Sequence, residues 1–361
     1  MNLCNINHSF NYETEKLCRI FLPYEKIAVL NEIVEADIYA VCKTDGRSCS
    51  AYLNFFGKEY ENTLTSPDDT DKEKELTLAT ALFNCFVSAT NYKSEWGLLT
   101  GVRPAKLFSR LIKSTGEASA EEYFKNRLLV SDEKTSLCKQ TAVSEEKIIE
   151  QSRPESFSLY VSIPFCPTRC SYCSFVSNDM AHFGHLIAPY VEALLREVEA
   201  AGEMVRRAGI PIGSIYIGGG TPTTLNEEQL ERLLCAVDAA FDRTHCREYT
   251  VEAGRPDTIT AEKMAVLKSH GVTRVSVNPQ TMEDHVLRAI GRHHTAGDIE
   301  KAMELVSAYN FPHVNMDLIA GLPEDTPEGF KRSLDRCLSF GTDNVTVHTL
   351  ALKKGSRILL E

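Results

Sequence analysis

Leu159-Tyr160-Val161-Ser162-Ile163-Pro164-Phe165-Cys166-Pro167-Thr168-Arg169-Cys170-Ser171-Tyr172-Cys173-Ser174-Phe175 is the stretch whose reading decides the fold. Its first half is a short apolar run, the pattern of a buried strand, and Pro164 ends it. A loop follows that carries Cys166, Cys170 and Cys173 in the spacing C-x3-C-x2-C. Thiolates ligate soft metals, and three this close on a loop can fold around one cubic iron–sulfur cluster. Three protein thiolates would leave one iron of such a cube open to a small molecule. Two residues after Cys173, where another thiolate could follow, the chain has Phe175. A structural zinc is ordinarily closed by four ligands, and His182 or His185 offers the missing one. On spacing alone, zinc and plain buried thiols therefore stand beside the cluster.

Outward from this stretch, the chain from residue 151 alternates regularly. Strand patterns fall at 159–163, 213–217, 249–252, 274–277, 314–319 and 344–348. Helical patterns fall at 187–208, 226–241, 261–270, 283–290, 296–309 and 327–340. Such alternation predicts parallel strands joined by right-handed crossovers. Six strands predict an α/β fold with an open partial barrel rather than a closed eight-stranded one. In these folds chemistry gathers at the C-terminal ends of the strands. The three cysteines follow the first strand. Gly218-Gly219-Gly220-Thr221-Pro222 follows the second, and bare backbone there can approach and hydrogen-bond a polar headgroup. Glu252 ends the third strand as an acceptor-only group, suited to hydroxyls or an ammonium. Asn278 and Gln280 end the fourth, with Arg292, His293 and His294 in the next connection. Asp317 lies within the apolar fifth strand, where a carboxylate must be paired or functional. The sixth leads to His348 and Ala351. One rim thus collects thiolates, glycines, two acids, amides and an arginine, a site for a charged, nucleoside-like ligand beside a metal cluster.

Composition narrows the class. The chain is 43% hydrophobic and 25% charged, as ordinary globular proteins are. A net charge of −11 with no basic stripe argues against a nucleic-acid partner. No apolar run spans a bilayer and the N-terminus lacks a signal pattern, so a cytoplasmic location is expected. Twelve cysteines are then better read as reduced thiols than as disulfides.

Residues 1–150 read as a separate small α+β domain. Strands are expected at 16–22, 36–42 and 50–56, with a hairpin turn at Asp45-Gly46. Helices are expected at 76–90, 105–113, 120–129, 132–142 and 145–151. The stretch from Trp96 to Pro104 reads as a tight loop, with Arg103 either an anion contact or simply the residue where a helix begins. No catalytic motif is evident in this part.

The cysteine loop together with Gly218-Gly219-Gly220-Thr221-Pro222 resembles the radical S-adenosylmethionine (SAM) superfamily. The lead-in from Leu159 to Phe165 is similar to that of its oxygen-independent coproporphyrinogen III oxidase branch. Glu252-Ala253-Gly254-Arg255-Pro256-Asp257, Asn278-Pro279-Gln280-Thr281-Met282 and Gly101-Val102-Arg103-Pro104 are most similar to the HemZ-type coproporphyrinogen dehydrogenases. The resemblance implies a [4Fe-4S] cluster on Cys166, Cys170 and Cys173, and SAM on the open iron. It implies that Tyr160 lies beside the cluster and SAM, that Gly218, Gly219 and Gly220 face the SAM amino group, and that Glu252 meets its ribose or amino acid end. It further implies that Gln280, Arg292, Asp317 and Ala351 bind a second SAM. The implied reaction takes hydrogen from coproporphyrinogen III propionates with a 5′-deoxyadenosyl radical, and loss of CO2 leaves the vinyl groups of protoporphyrinogen IX. Implied partners are a tetrapyrrole substrate and an electron donor such as flavodoxin or ferredoxin, with the chain a monomer. Two departures qualify this. Phe175 stands where the best-described oxidases have a fourth cysteine, a trait shared with haem-chaperone relatives. The chain also stops at Glu361, just after the sixth strand, so the family's C-terminal domain is expected to be absent. A haem-binding chaperone, or a radical enzyme acting on another tetrapyrrole as in anaerobic haem degradation, stands as the alternative function.

Overall fold

Alternating buried positions build a five-stranded sheet in the first part of the chain. The structure, a computed structural model, describes residues 1–353 and 355–360. The chain divides into two units, Met1–Gln151 and Ser152–Glu361. In the first unit the elements run β1 (Asn2–Ile6), α1 (Asn11–Phe21), β2 (Ala28–Leu30), β3 (Ile38–Asp45), β4 (Ser48–Phe55), β5 (Lys58–Thr65) and α2 (Asp71–Thr90). The sheet order is β2-β1-β3-β4-β5. The inward positions of β3 and β4, Ile38, Ala40, Cys42, Cys49, Ala51 and Leu53, pack against Leu78, Leu82 and Phe86 of α2. Thr70 caps α2, its hydroxyl accepting from the Glu73 amide.

The strand expected at 16–22 is instead the C-terminal half of α1. Thr14, Leu17 and Cys18 are its buried residues, spaced three and four apart as one helical face requires. The crowding of apolar residues at Leu17, Cys18, Ile20, Phe21 and Leu22, broken only by Arg19, masks that period. The helices that follow are α3 (Pro104–Thr115), α4 (Glu117–Glu122) and α5 (Asp132–Ile149), with a π-turn at Tyr123–Arg127 where 120–129 was expected to be one regular helix. Arg103 immediately precedes Pro104 at the start of α3, in line with its plainer reading.

The second unit runs β6 (Phe157–Ile163), β7 (Phe165–Cys166), β8 (Asn178–Asp179), α6 (Met180–Phe183), α7 (Ile187–Ala208), β9 (Ile212–Gly219), α8 (Glu227–Ala240), β10 (Glu248–Gly254), α9 (Ala261–Ser269), β11 (Arg274–Gln280), α10 (Asp284–Ala289), α11 (Ala296–Ala308), β12 (His313–Ala320), α12 (Pro327–Ser339) and β13 (Asn344–Thr349). The large sheet has the order β13-β12-β11-β10-β9-β6, each strand parallel to its sequence neighbour. This is the six-stranded partial barrel expected from the alternation, with β6 and β13 as its two edges. Outward-facing residues such as Ile215, Ile217, Val251, Val275, Val277, Met316 and Leu318 join the helices in one core. Burying such side chains stabilises by about 1.5–3 kcal/mol each, which makes this layer the source of the barrel's stability.

Candidate active site

The residues between those core positions point the other way and line a cavity of about 640 Å³ at the C-terminal ends of the strands. Tyr160, Tyr216, Thr250, Glu252, Ser276, Asn278, Asn315, Asp317, Thr346 and His348 face it, alternating with the core positions as the pleat requires. Cys166, Cys170 and Cys173 stand on its rim.

The cysteine loop is tied down by backbone bonds on two sides. Gly220 N donates to Ile163 O at 2.8 Å and Thr221 N to Phe165 O at 2.7 Å, joining the turn after β9 to the turn after β6. Ser171 N donates to Ile290 O at 3.0 Å on the other side. Gly220 is needed for this seam, because a Cβ there would lie 2.6 Å from Phe165 O and 2.9 Å from Ile163 O. At Gly219 the backbone has φ +106°, a conformation that favours glycine. Gly219 and Gly220 line the cavity; Gly218 is not on its wall and instead leaves room for the Tyr216 ring and the Glu252 carboxyl.

Two buried guanidiniums flank Cys170. Arg255 is 2% exposed, donates to the Thr168 hydroxyl at 3.2 Å, and lies 3.9 Å from Cys170 Sγ. Its Nε donates to Asp257 Oδ1 at 3.2 Å. Arg292, also buried, donates to Asn278 O and, at 3.2 Å, to the Tyr172 hydroxyl. Burial pushes the Cys170 thiol up, but the Arg292 and Arg255 charges outweigh it and hold the thiol below its ordinary value. Burial raises the Cys166 thiol, against a hydrogen bond from the Thr221 hydroxyl at 3.5 Å. Burial likewise raises the Asp257 carboxyl, yet His294 and Arg255 bring it down to about 2.

On the opposite wall the Tyr160 and Tyr216 rings stack at 5.8 Å, and the Tyr216 hydroxyl donates to Glu252 Oε1. Burial lifts Glu252 to about 7, with Asp317 adding to the rise and the Tyr216 bond opposing it. Deeper in, Asn315 Nδ2 donates to Ser276 Oγ at 2.8 Å and to Asp317 Oδ1 at 2.7 Å. The Thr346 hydroxyl donates to Asn315 Oδ1 at 2.9 Å. Asp317 is therefore paired and also on the cavity wall. Gln280 follows Pro279 at φ +71°, a costly conformation for a residue with a side chain. Gln280, Arg292, Asp317 and Ala351 all line the same cavity as the cysteines.

The donor set suits a cluster better than a single zinc. Zn–S bonds of about 2.3 Å would set three thiolates roughly 3.8 Å apart. Among the described residues, the three sulfurs are not drawn together within 4.8 Å. Ligands on separate irons of a cube need that wider spacing. Neither His182 nor His185 lines the cavity. The open rim beside the thiols, with bare backbone at Gly219 and Gly220 and the carboxyl of Glu252, also suits a polar amino-acid headgroup.

Tyr216, Arg255, Asp257, Thr168, Tyr172 and Asn315 were not singled out from the sequence. Period-two alternation would have found Tyr216 and Asn315, since each is the odd polar residue between apolar ones in a buried strand. Arg255 and Tyr172 carry no such signal, because only the packed structure sets them against Cys170.

Residues 160–337 match the Radical SAM superfamily model. The chain is 35% identical over 309 residues to the oxygen-independent coproporphyrinogen-III oxidase-like protein HemZ of Bacillus subtilis, covering 83% of this chain and 62% of that protein. It is 35% identical over 198 residues to the haem chaperone HemW of the same organism, covering 54% of this chain and 51% of that protein. The solved radical SAM enzyme coproporphyrinogen III oxidase, HemN, from Escherichia coli superposes with a TM-score of 0.50 at 28% identity, covering 57% of this chain and 47% of that one. The chain thus spans less than two thirds of the length of each. Sheet, cysteine loop and sequence together define a radical SAM domain. Its relatives HemZ and HemN lie in the coproporphyrinogen oxidase-like branch of that superfamily, and a radical SAM domain implies a [4Fe-4S] cluster and SAM. No helix among the described residues is long and apolar enough to cross a membrane.

Proposed function

We propose that the chain is a radical SAM oxidoreductase that oxidatively decarboxylates the propionates of coproporphyrinogen III to vinyl groups without oxygen. The observation that carries this is the set of three thiols at the rim of a polar cavity that also presents Gly219, Gly220 and Glu252. When bound, cluster and SAM supply one-electron cleavage of a sulfonium and the abstraction of a hydrogen atom. Every other task falls to the protein.

Cys166, Cys170 and Cys173 would hold the cluster. Gly219, Gly220 and Glu252 would orient the SAM headgroup, with the stacked Tyr160 and Tyr216 rings as the wall beside it. Gly218 would act indirectly, by giving Tyr216 and Glu252 their places. Each propionate loses CO2, one hydrogen atom, which leaves with its electron to the deoxyadenosyl radical, and one further electron, which must pass to an external one-electron acceptor. The propionate carboxylate therefore needs a cation until the C–C bond breaks, and Arg169 and Lys353 on the cavity wall are suited to that. Gln280, Arg292, Asp317 and Ala351 would hold a second SAM. Arg292 is already engaged with Asn278 and Tyr172, so its part there would be to fix Tyr172 and the cluster loop. The redox partner would be a small electron carrier such as flavodoxin or ferredoxin.

A second reading, a haem chaperone on the same scaffold, is favoured by Phe175 and by the equal identity to HemW. The test is anaerobic incubation of cluster-loaded protein with SAM, dithionite and coproporphyrinogen III. Products carrying one and then two vinyl groups are expected. Stoichiometric haem binding with no vinyl product would overturn the enzyme reading in favour of the chaperone.

A further inference from the structure

On the outside of the barrel, α8 and α9 bring three unlike donors together. Glu231 and Cys235 are one turn apart on α8, and His270 is the C-terminal capping residue of α9. Glu231 Oε1 lies 3.2 Å from His270 Nε2 and 3.6 Å from Cys235 Sγ, and that sulfur lies 4.0 Å from Nε2. Among the described residues, no other group of three such donors closes to within 4.8 Å. A tetrahedral zinc with bonds of about 2.0–2.3 Å would space its oxygen, nitrogen and sulfur ligands roughly 3.3–3.6 Å apart. The trio is within a few tenths of an ångström of that arrangement before any ion enters.

The imidazole is also oriented as a metal ligand would be. Its Nδ1 lies 2.6 Å from Asp238 Oδ2, and the other oxygen of that carboxylate is 3.2 Å from Arg243 Nη2. Arg243 Nη1 in turn donates to His270 O at 2.7 Å. A carboxylate on the far nitrogen fixes the ring and the tautomer that leaves Nε2 free to bind a metal. The His270 side chain is 11% exposed and that of Glu231 47%, so the trio opens to solvent on one side, where water can complete the shell.

We propose that Glu231, Cys235 and His270 form a mononuclear site for a zinc-class divalent cation, separate from the cluster loop and clipping α8 to α9. One thiolate, one imidazole and one carboxylate select a borderline-soft cation over magnesium or calcium. The rival account is a purely ionic tie, with a protonated His270 bridging Glu231 and Asp238 and the Cys235 thiol idle.

The experiment titrates zinc into the anaerobic, cluster-loaded full chain against a chromophoric chelator, then measures metal content after gel filtration. One zinc per chain beyond the cluster iron is expected. Cys235→Ser, an exposed position, should weaken it at least tenfold with iron content and circular dichroism unchanged. Asp238→Asn should weaken it about tenfold through the ring it orients. A variant with serine at Cys166, Cys170 and Cys173 should keep the zinc. Equal zinc affinity in wild type and Cys235→Ser, no retained zinc, or zinc lost with the cluster cysteines instead would each overturn the site.

Discussion

Cys170 is the most constrained of the three rim thiols, buried and set between Arg255 and Arg292. Serine nearly matches its shape, so Cys170→Ser should leave the far-ultraviolet circular dichroism intact. It removes one thiolate of three, and the anaerobically reconstituted protein should drop from about four irons per chain to near none. Full visible absorbance in the variant would end the ligand assignment; global unfolding would end the claim that the loop is separable from the core. Glu252 allows a second test. Its carboxyl is raised to about 7 in the fold, above the value of an unfolded glutamate. Between roughly pH 4.5 and 7 the folded state holds the extra proton, so stability falls as pH rises through that window. The span corresponds to about 3 kcal/mol. Glu252→Gln cannot ionise and should remove the slope, gaining on the wild type at pH 8 relative to pH 4.5. Parallel stability–pH curves from denaturant unfolding would show that burial does not act on this carboxyl as described.

At the level of elements, the barrel was legible because one rule sets both faces of each strand. Apolar positions such as Ile215, Ile217, Val275 and Val277 feed the core, and the residues between them meet the cavity. In the sequence, apolar runs alternating with helical patterns mark all six strands, with Glu252 ending the third and Asp317 inside the apolar fifth. Sequence patterning failed in the first unit, where the apolar residues Leu17, Cys18, Ile20, Phe21 and Leu22 crowd the end of α1 and obscure its helical face. It failed also at β5, whose exposed and half-buried residues, Lys58 to Thr65, are mostly polar. The seam between the turns after β6 and β9 was half legible. The glycines were read as ligand-facing, whereas Gly220 also lets two backbones meet. Gly220→Ala should therefore part that seam, costing ~1–3 kcal/mol and releasing the cluster several-fold faster on dilution into chelator. Wild-type iron retention with unchanged stability would mean the seam yields without strain. Arg255→Gln probes the same loop from its other side. Loss of the donors to Thr168 and of the charge beside Asp257 should destabilise by ~2–4 kcal/mol, read from the denaturant midpoint. An unchanged midpoint would show the loop to be held by its backbone bonds alone.

For the whole molecule, the two units keep separate cores. The buried clusters of the first draw on residues from Leu3 to Ala142, and those of the second on residues from Val161 to Cys337. Residues 151–155 between them are exposed. Every residue lining the candidate cavity belongs to the second unit. A cut in the exposed stretch therefore crosses no buried apolar contact within either core. A glutamate-specific protease, with Glu150 and Glu155 as its sites, should yield two fragments that resist further digestion under anaerobic conditions. The fragment beginning at Ser156 should keep its circular dichroism and its iron, because all three cysteines and the seam that holds them travel with it. Its affinity for SAM, measured by equilibrium dialysis, should stay within about twofold of the intact chain, since RT ln 2 is about 0.4 kcal/mol and no lining residue has been removed. A tenfold loss of SAM affinity with iron retained would mean that the first unit contributes to the site. Loss of iron in step with cleavage would mean that the barrel depends on the first unit for its own stability. Either result would move the role of residues 1–150 from an appended domain to a working part of the radical site.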